Sequence, residues 1–227
     1  IPQPKNLEIV PYFLAGQTQS EDLSKETNLG LDLRYNINSS TTLNMAFNPD
    51  FGQVEADPSV LNLSAFETRL NEKRPFFVQG ANFFSSWMRV FNSRRIGQRP
   101  GFIEPDAGDI VDRPNETTIL SAAKILGQTS TGVKYGIINA VTNQEYASLE
   151  LEKDGKIVKE DFLIEPYSNY FVGRVTKPFI NELSAIGLMA TDLKREGYSD
   201  VATSLKGDFL INLLDNKFSF TGEYGST

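Results

Sequence analysis

The sequence predicts an all-β fold: an antiparallel, up-and-down transmembrane β-barrel, here a segment of about nine strands, with a long inserted loop region. Three observations carry this expectation. Apolar and polar residues alternate with a period of two in run after run. The runs are longer than the ~5–6 residues usual in soluble sheets. The links between them alternate between short polar turns and long loops, as in outer-membrane barrels.

The first run spans residues 7–16. In 29–38, Leu29, Leu31, Leu33, Tyr35 and Ile37 face one way, while Gly30, Asp32, Arg34, Asn36 and Asn38 face the other. After the Ser39-Ser40 turn the pattern resumes with Leu43, Met45 and Phe47 opposite Asn44, Ala46 and Asn48, which marks a hairpin. Further strands are expected over 117–127 and 132–142. A pair at 170–179 and 184–193 flanks Ile180-Asn181-Glu182. Two more follow at 201–213 and 218–224. Short links fall at 38–41, 128–131, 180–183 and 214–216, and long ones at 17–27, 143–169, 193–199 and 49–116. Within 143–169 a hairpin turning at Asp154-Gly155 is expected to extend beyond the membrane.

A soluble antiparallel sandwich shows the same alternation, because one sheet face packs on a core. Strand length, loop asymmetry and the placement of charges opposite the apolar face favour the membrane. A closed barrel turns the charged face toward a wet lumen, so Asp32, Arg34, Lys134, Arg174, Lys206, Asp208 and Glu223 are expected to face it. The charge there is mixed, which predicts no strong ion selectivity. Tyr12, Tyr35, Phe47 and Tyr224 are placed for an aromatic girdle.

Composition excludes several function classes. The 227 residues contain no Cys and no His, so disulfides, thiolate chemistry, His-containing triads and Cys- or His-ligated zinc sites are absent. No apolar run approaches the roughly 20 residues of a membrane helix. A net charge of −7 argues against nucleic acid as a partner. Ile1-Pro2-Gln3-Pro4 reads as a linker. Residues 1–6 are therefore expected to lead in from a missing N-terminal module, 7–227 to form a partial barrel, and 48–116 to be an inserted plug or external cap.

The insertion is rich in motifs. It contains Asn-Pro-Asp-Phe-Gly-Gln-Val-Glu-Ala-Asp at 48–57, Glu-Lys-Arg-Pro-Phe-Phe at 72–77 followed by Gly80, and Ser-Arg-Arg-Ile-Gly at 93–97. With the hairpin 31–47 and the Ala122-Ala123-Lys124 strand, these stretches resemble a family of bacterial proteins of unassigned function, common in Bacteroidetes and related phyla. In that family a module similar to family 9 carbohydrate-binding domains precedes a large predicted outer-membrane barrel. The resemblance implies barrel architecture, the outer membrane of a Gram-negative bacterium and a link to carbohydrate handling. It supplies no catalytic residues.

Candidate sites lie in the same insertion. Asp50, Glu55, Asp57 and Glu67 offer oxygen ligands for calcium, but their spacing is not that of an EF-hand. Pairing with Arg69, Lys73, Arg74 and Arg94 is the favoured reading. Phe76, Phe77, Phe83, Phe84 and Trp87 could stack on a sugar ring or form the core of the inserted loop, the latter favoured. Arg94 and Arg95 could meet lipid phosphate or pair with acids. No metal and no cofactor is expected. The leading expectation is a non-enzymatic pore, receptor or scaffold, with outer-membrane lipid, and glycans or other envelope proteins, as partners. The alternatives are a carbohydrate-active enzyme using paired carboxylates and a soluble β-sheet accessory subunit of an envelope complex.

Overall fold

The computed structural model describes residues 6–19, 23–49, 71–86, 90–101, 109–153, 156–214 and 216–227. Among these described residues twelve strands follow one another: β1 (Leu7–Gln19), β2 (Leu23–Asn38), β3 (Thr41–Phe47), β4 (Asp109–Asp112), β5 (Ile119–Gln128), β6 (Lys134–Thr142), β7 (Glu145–Lys153), β8 (Lys156–Glu165), β9 (Ser168–Phe179), β10 (Asn181–Arg195), β11 (Ala202–Leu213) and β12 (Phe218–Ser226). Nine of them form one antiparallel sheet in the order β1-β2-β3-β5-β6-β9-β10-β11-β12, and β4, β7 and β8 form a second, smaller sheet. The nine correspond in sequence to the nine expected alternating runs.

Local chemistry sets the turns. At the β2–β3 turn the Asn38 side chain accepts from Ser40 N (2.9 Å) and Ser40 Oγ (3.0 Å), an Asx turn that fixes the hairpin. In the β5–β6 link Gly132 takes φ +81° while its N–H bonds Thr129 O at 3.0 Å, a conformation that glycine adopts without a Cβ clash. The β2–β3, β5–β6, β9–β10 and β11–β12 turns lie at one end of the sheet. At the opposite end β1 meets β2, the chain leaves β3 for the insertion and returns into β5, and β10 connects to β11.

Two expectations are corrected. The sheet is not closed into a barrel: β1 pairs with β2 and β12 with β11, and no pairing joins these two edges among the described residues. Alternation reports which face is apolar, whereas closure depends on strand number, tilt and stagger, which a period of two does not encode. Residues 17–19 and 23–27 also belong to strands and not to a long loop, because the β1–β2 ladder continues from Leu7↔Tyr35 to Gln19↔Leu23. Apart from Leu23 they are polar at both parities, so their pleat leaves no signature in the sequence.

The pairing register places side chains on two faces. One row runs Tyr35↔Leu43↔Ile125↔Ile137, and another runs Val175↔Leu188↔Gly207↔Tyr224. This apolar face lies open: Leu29, Leu188, Leu205 and Tyr224 are 60–79% exposed. The other face carries Asp32, Asn44, Lys124, Arg174, Lys206, Asp208 and Glu223, and it is against its central strands that the buried core forms. Phe77, Phe84 and Ile96 of the insertion pack there on Ile119, Ala122, Ile138, Ala140, Val172 and Met189. The main core therefore sits between the insertion and the charged face of the sheet, and the apolar face lies outside it.

Candidate functional site

The described part of the insertion is short and braced from within. Pro75 opens helix α1 (Pro75–Val78) at its first position, where its fixed φ suits a helix and its missing N–H costs nothing. Gly80, at φ +72°, then turns the chain into a 3-10 turn over Ala81–Phe84. A second 3-10 turn, Ser93–Arg95, starts where the Asn92 side chain accepts from Arg94 N at 3.2 Å.

Glu72 ties these turns together. The buried Arg74 guanidinium donates to both of its oxygens, Nε to Oε1 at 2.8 Å and Nη2 to Oε2 at 2.7 Å. This is the bidentate geometry that makes Arg–carboxylate pairs strong. Arg74 also donates to Ile96 O (2.5 Å) and Ser93 O (2.7 Å), and its guanidinium carbon stands 4.4 Å above the Phe77 ring. Ser93 Oγ donates to Glu72 Oε2 at 2.6 Å, and Arg94 Nη1 lies 3.9 Å from Oε1. Burial alone raises the Glu72 carboxyl. The Arg74 side-chain bonds and charge, the Ser93 hydroxyl and the Arg74 backbone N–H outweigh it, so the group sits below its usual 4.5.

Two lysines of the sheet reach up to hold this unit. Lys124, fully buried on β5, donates from Nζ to Phe76 O and to Gln79 O (2.5 Å), capping the carbonyls at the end of α1. The ammonium also lies 4.8 Å from the Phe76 ring centroid. Lys206, fully buried on β11, donates to Ser86 Oγ at 2.5 Å and pairs with Glu223 Oε1 at 2.8 Å. Beside it Arg174 donates twice to Asp208, at 2.7 and 2.8 Å. Phe84 rests on Gly136, where an added Cβ would come within 2.8 Å of the ring, and meets Phe91 edge to face at 6.0 Å. A cavity of about 320 Å³ is left above these groups, lined among others by Glu72, Phe77, Phe84, Ser86, Phe91 and Arg94.

The seven residues expected on the charged face, Asp32, Arg34, Lys134, Arg174, Lys206, Asp208 and Glu223, share one face by register. Arg174 and Lys206 are buried and ion-paired, while Asp32, Arg34 and Lys134 are exposed. Phe77 is buried beneath Arg74, Phe76 is half-buried beside Lys124, Arg94 is close to Glu72, and Arg95 is exposed. Asp50, Glu55, Asp57 and Trp87 lie outside the described residues. Among the described residues no group of three or more acidic side chains is placed to hold a metal ion, and no helix is long and apolar enough to cross a membrane. Tyr12 lies on the charged face, donating to Asn48 O at 2.8 Å, so it cannot serve in a girdle on the apolar side.

Sequence reasoning missed Glu72 and Lys124 as organising groups. Both carry a signal, since each falls inside a motif, but the carboxylates at 50–67 are denser in sequence than those around Glu72. The arrangement suits holding and positioning, because each of its half-buried carboxylates faces a cation: Glu72 with Arg74, Asp208 with Arg174 and Glu223 with Lys206.

A family model described as a domain of unknown function, DUF5916, matches residues 3–226. No curated protein and no solved structure matches the chain.

Proposed function

The chain belongs to the DUF5916 family, a domain of unknown function, and from its geometry we propose that it forms part of the wall of an outer-membrane β-barrel. It acts there as a non-enzymatic pore, receptor or scaffold component. In this reading the insertion is a plug seated on the lumen side, and further strands join the free edges of β1 and β12.

The single observation carrying this reading is where charge falls on the open apolar face. Among residues of the nine-stranded sheet whose side chains are described, that face carries charge only at Lys177 near the short turns, and at Asp192 and Lys194 at the opposite end. On β9 the Lys177 row and the row of Phe171, which pairs with Asp192, are six positions apart, about 20 Å along the strand. On β11 the same face is uncharged from Thr203 to Leu213, ten positions or about 33 Å along the strand and roughly 25 Å along the membrane normal once tilted. An outer-membrane barrel needs an apolar band about 25 Å tall, and a soluble monomer rarely leaves so wide an apolar surface bare.

A polar side chain of that face is also satisfied. Asn139 Nδ2 donates to Asn169 Oδ1 at 3.0 Å and to Tyr170 O at 3.1 Å, as lipid exposure demands. On the opposite face, ion pairs engage Arg174 with Asp208 and Lys206 with Glu223.

Fractionation of cells producing the full-length protein tests the proposal. We expect it in the outer membrane, with a band whose mobility shifts on boiling. Recovery in the soluble periplasmic fraction with unshifted mobility would sink it.

A further inference from the structure

We infer that a groove on the apolar face, floored by Gly207, holds one acyl chain of an anionic phospholipid whose phosphate is bound by Lys177. The inference rests on the membrane-wall reading and names the ligand of that wall.

The groove has a volume of about 730 Å³ and lies across β9–β12. Two rows of paired residues build it: Val175↔Leu188↔Gly207↔Tyr224 and Lys177↔Ile186↔Phe209↔Gly222. At Gly222 an added Cβ would fall 2.4 Å from the Phe209 ring, so that glycine is already roofed. At Gly207 the same Cβ would meet only Leu188 Cδ2, at an ordinary 3.7 Å. Gly207 is thus an open trough between Leu188 and Tyr224, with the Phe209 ring at its side. Such a trough takes an unbranched hydrocarbon chain in dispersion contact.

Charge selects the headgroup. Lys177 is exposed, and no acidic side chain pairs with it among the described residues. Asp208 and Glu223, one row away in the weave, point to the other face and are engaged by Arg174 and Lys206. The Lys177 Cα is about 10 Å, two strand spacings, from that of Phe209. A lysine there lays its methylenes along the apolar surface and carries its ammonium to the membrane boundary. It stands three residues before Ile180, on the short-turn side, which barrels place toward the periplasm. A phosphate in that leaflet meets the ammonium while its chain enters the trough.

The test uses the full-length protein in detergent micelles, titrated with phosphatidylglycerol or phosphatidylethanolamine, with retained lipid counted by native mass spectrometry. We expect one phosphatidylglycerol per chain, retained in preference to phosphatidylethanolamine. Lys177→Gln, at an exposed site that leaves folding intact, weakens phosphatidylglycerol retention about fivefold, the equivalent of about 1 kcal/mol for one lysine at an anionic surface. Gly207→Leu fills the trough and abolishes retention of both lipids, with heat-modifiable mobility as the folding control. Equal retention of the two lipids, or no effect of Lys177→Gln, overturns the inference. Co-flotation with vesicles separates the two failures. Protein that floats but retains no lipid refutes this inference alone, whereas protein that does not float refutes the wall itself.

Discussion

Replacing Lys124 by Met tests whether the insertion is held by the sheet or merely rests on it. The ammonium is fully buried and donates to Phe76 O and Gln79 O, with the Phe76 ring close by. Methionine keeps the length and volume of the stem, so the core loses little packing. What disappears is the donor to two carbonyls that α1 cannot satisfy itself. A buried acceptor left without a partner costs about 1–3 kcal/mol, so two amount to roughly 2–6 kcal/mol. Lost attraction to the Phe76 ring adds about 1–2 kcal/mol. Against this, the ammonium no longer has to be desolvated, which returns several kcal/mol. We expect a net loss of about 2–4 kcal/mol, felt locally. Amide hydrogen exchange of Phe77 and the 3-10 turn Ala81–Phe84 reads it directly: protection there should fall at least tenfold, while β11 and β12 amides keep theirs. Protection equal to or above wild type would mean that the sheet does not hold α1 through this lysine.

Three further outcomes follow from the same contacts. Because the folded Glu72 carboxyl is lowered from 4.5, its contribution is fully present above that value and is lost as pH falls through the lower folded value. Protection of the insertion should hold from pH 7 to 5 and decline below about 4.5, and Glu72→Gln should start weaker and lose this dependence. Gly136→Ala pushes a methyl to 2.8 Å from the Phe84 ring and should cost about 1–3 kcal/mol in a denaturant titration. Combined with Phe84→Ala, which alone costs about 3–5 kcal/mol, the effects should be less than additive; strict additivity would show that the ring does not rest there. Gly187→Ala sets a Cβ 2.7 Å from Asp208 Oδ1 and 2.9 Å from Arg174 Nη2. It should destabilise by about 3–5 kcal/mol if it parts this buried pair, whereas a thermal midpoint within a degree of wild type would refute the placement.

The strands were legible because each leaves at least one face unambiguous. Leu29 to Ile37 alternate cleanly, and Leu205 to Leu213 do so but for Leu210; these flanking strands lie outside the insertion's hydrophobic core. The central strands blur. In β6 both parities are apolar, with Tyr135, Ile137 and Val141 on one side and Ile138 and Ala140 on the other. The physical reason is that the second side is itself buried, beneath Phe77, Phe84 and Ile96. A strand covered on both faces reads as a continuous greasy run, so the loss of alternation there is the footprint of the docked insertion. Lys124 sits inside that footprint, between Ala122 and Leu126, and nothing along β5 reveals that its partners are backbone carbonyls some 45 residues earlier. The Glu72–Arg74 pair is local, two residues apart, and was readable in principle. Its link to Ser93 and Ile96 is not, since it depends on how the loop folds back.

The insertion's core contacts also bear on the order in which the chain assembles. Phe77, Phe84 and Ile96 rest on β5, β6, β9 and β10, all of which follow them in the chain. The β3–β5 pairing closes a loop of roughly 70 residues, where the β5–β6 turn closes about five. The difference is nearly four doublings of loop length, or about 2 kcal/mol of chain entropy. Strands β5–β6 and β9–β12 are therefore expected to zip together across their short links first, to join through the β6–β9 pairing, and to gather the insertion onto themselves. Docking of the insertion then shortens the free chain between it and β3, so that the β1–β3 hairpins join last, and a slow phase should be confined to amides of β3 and its partner edge on β5.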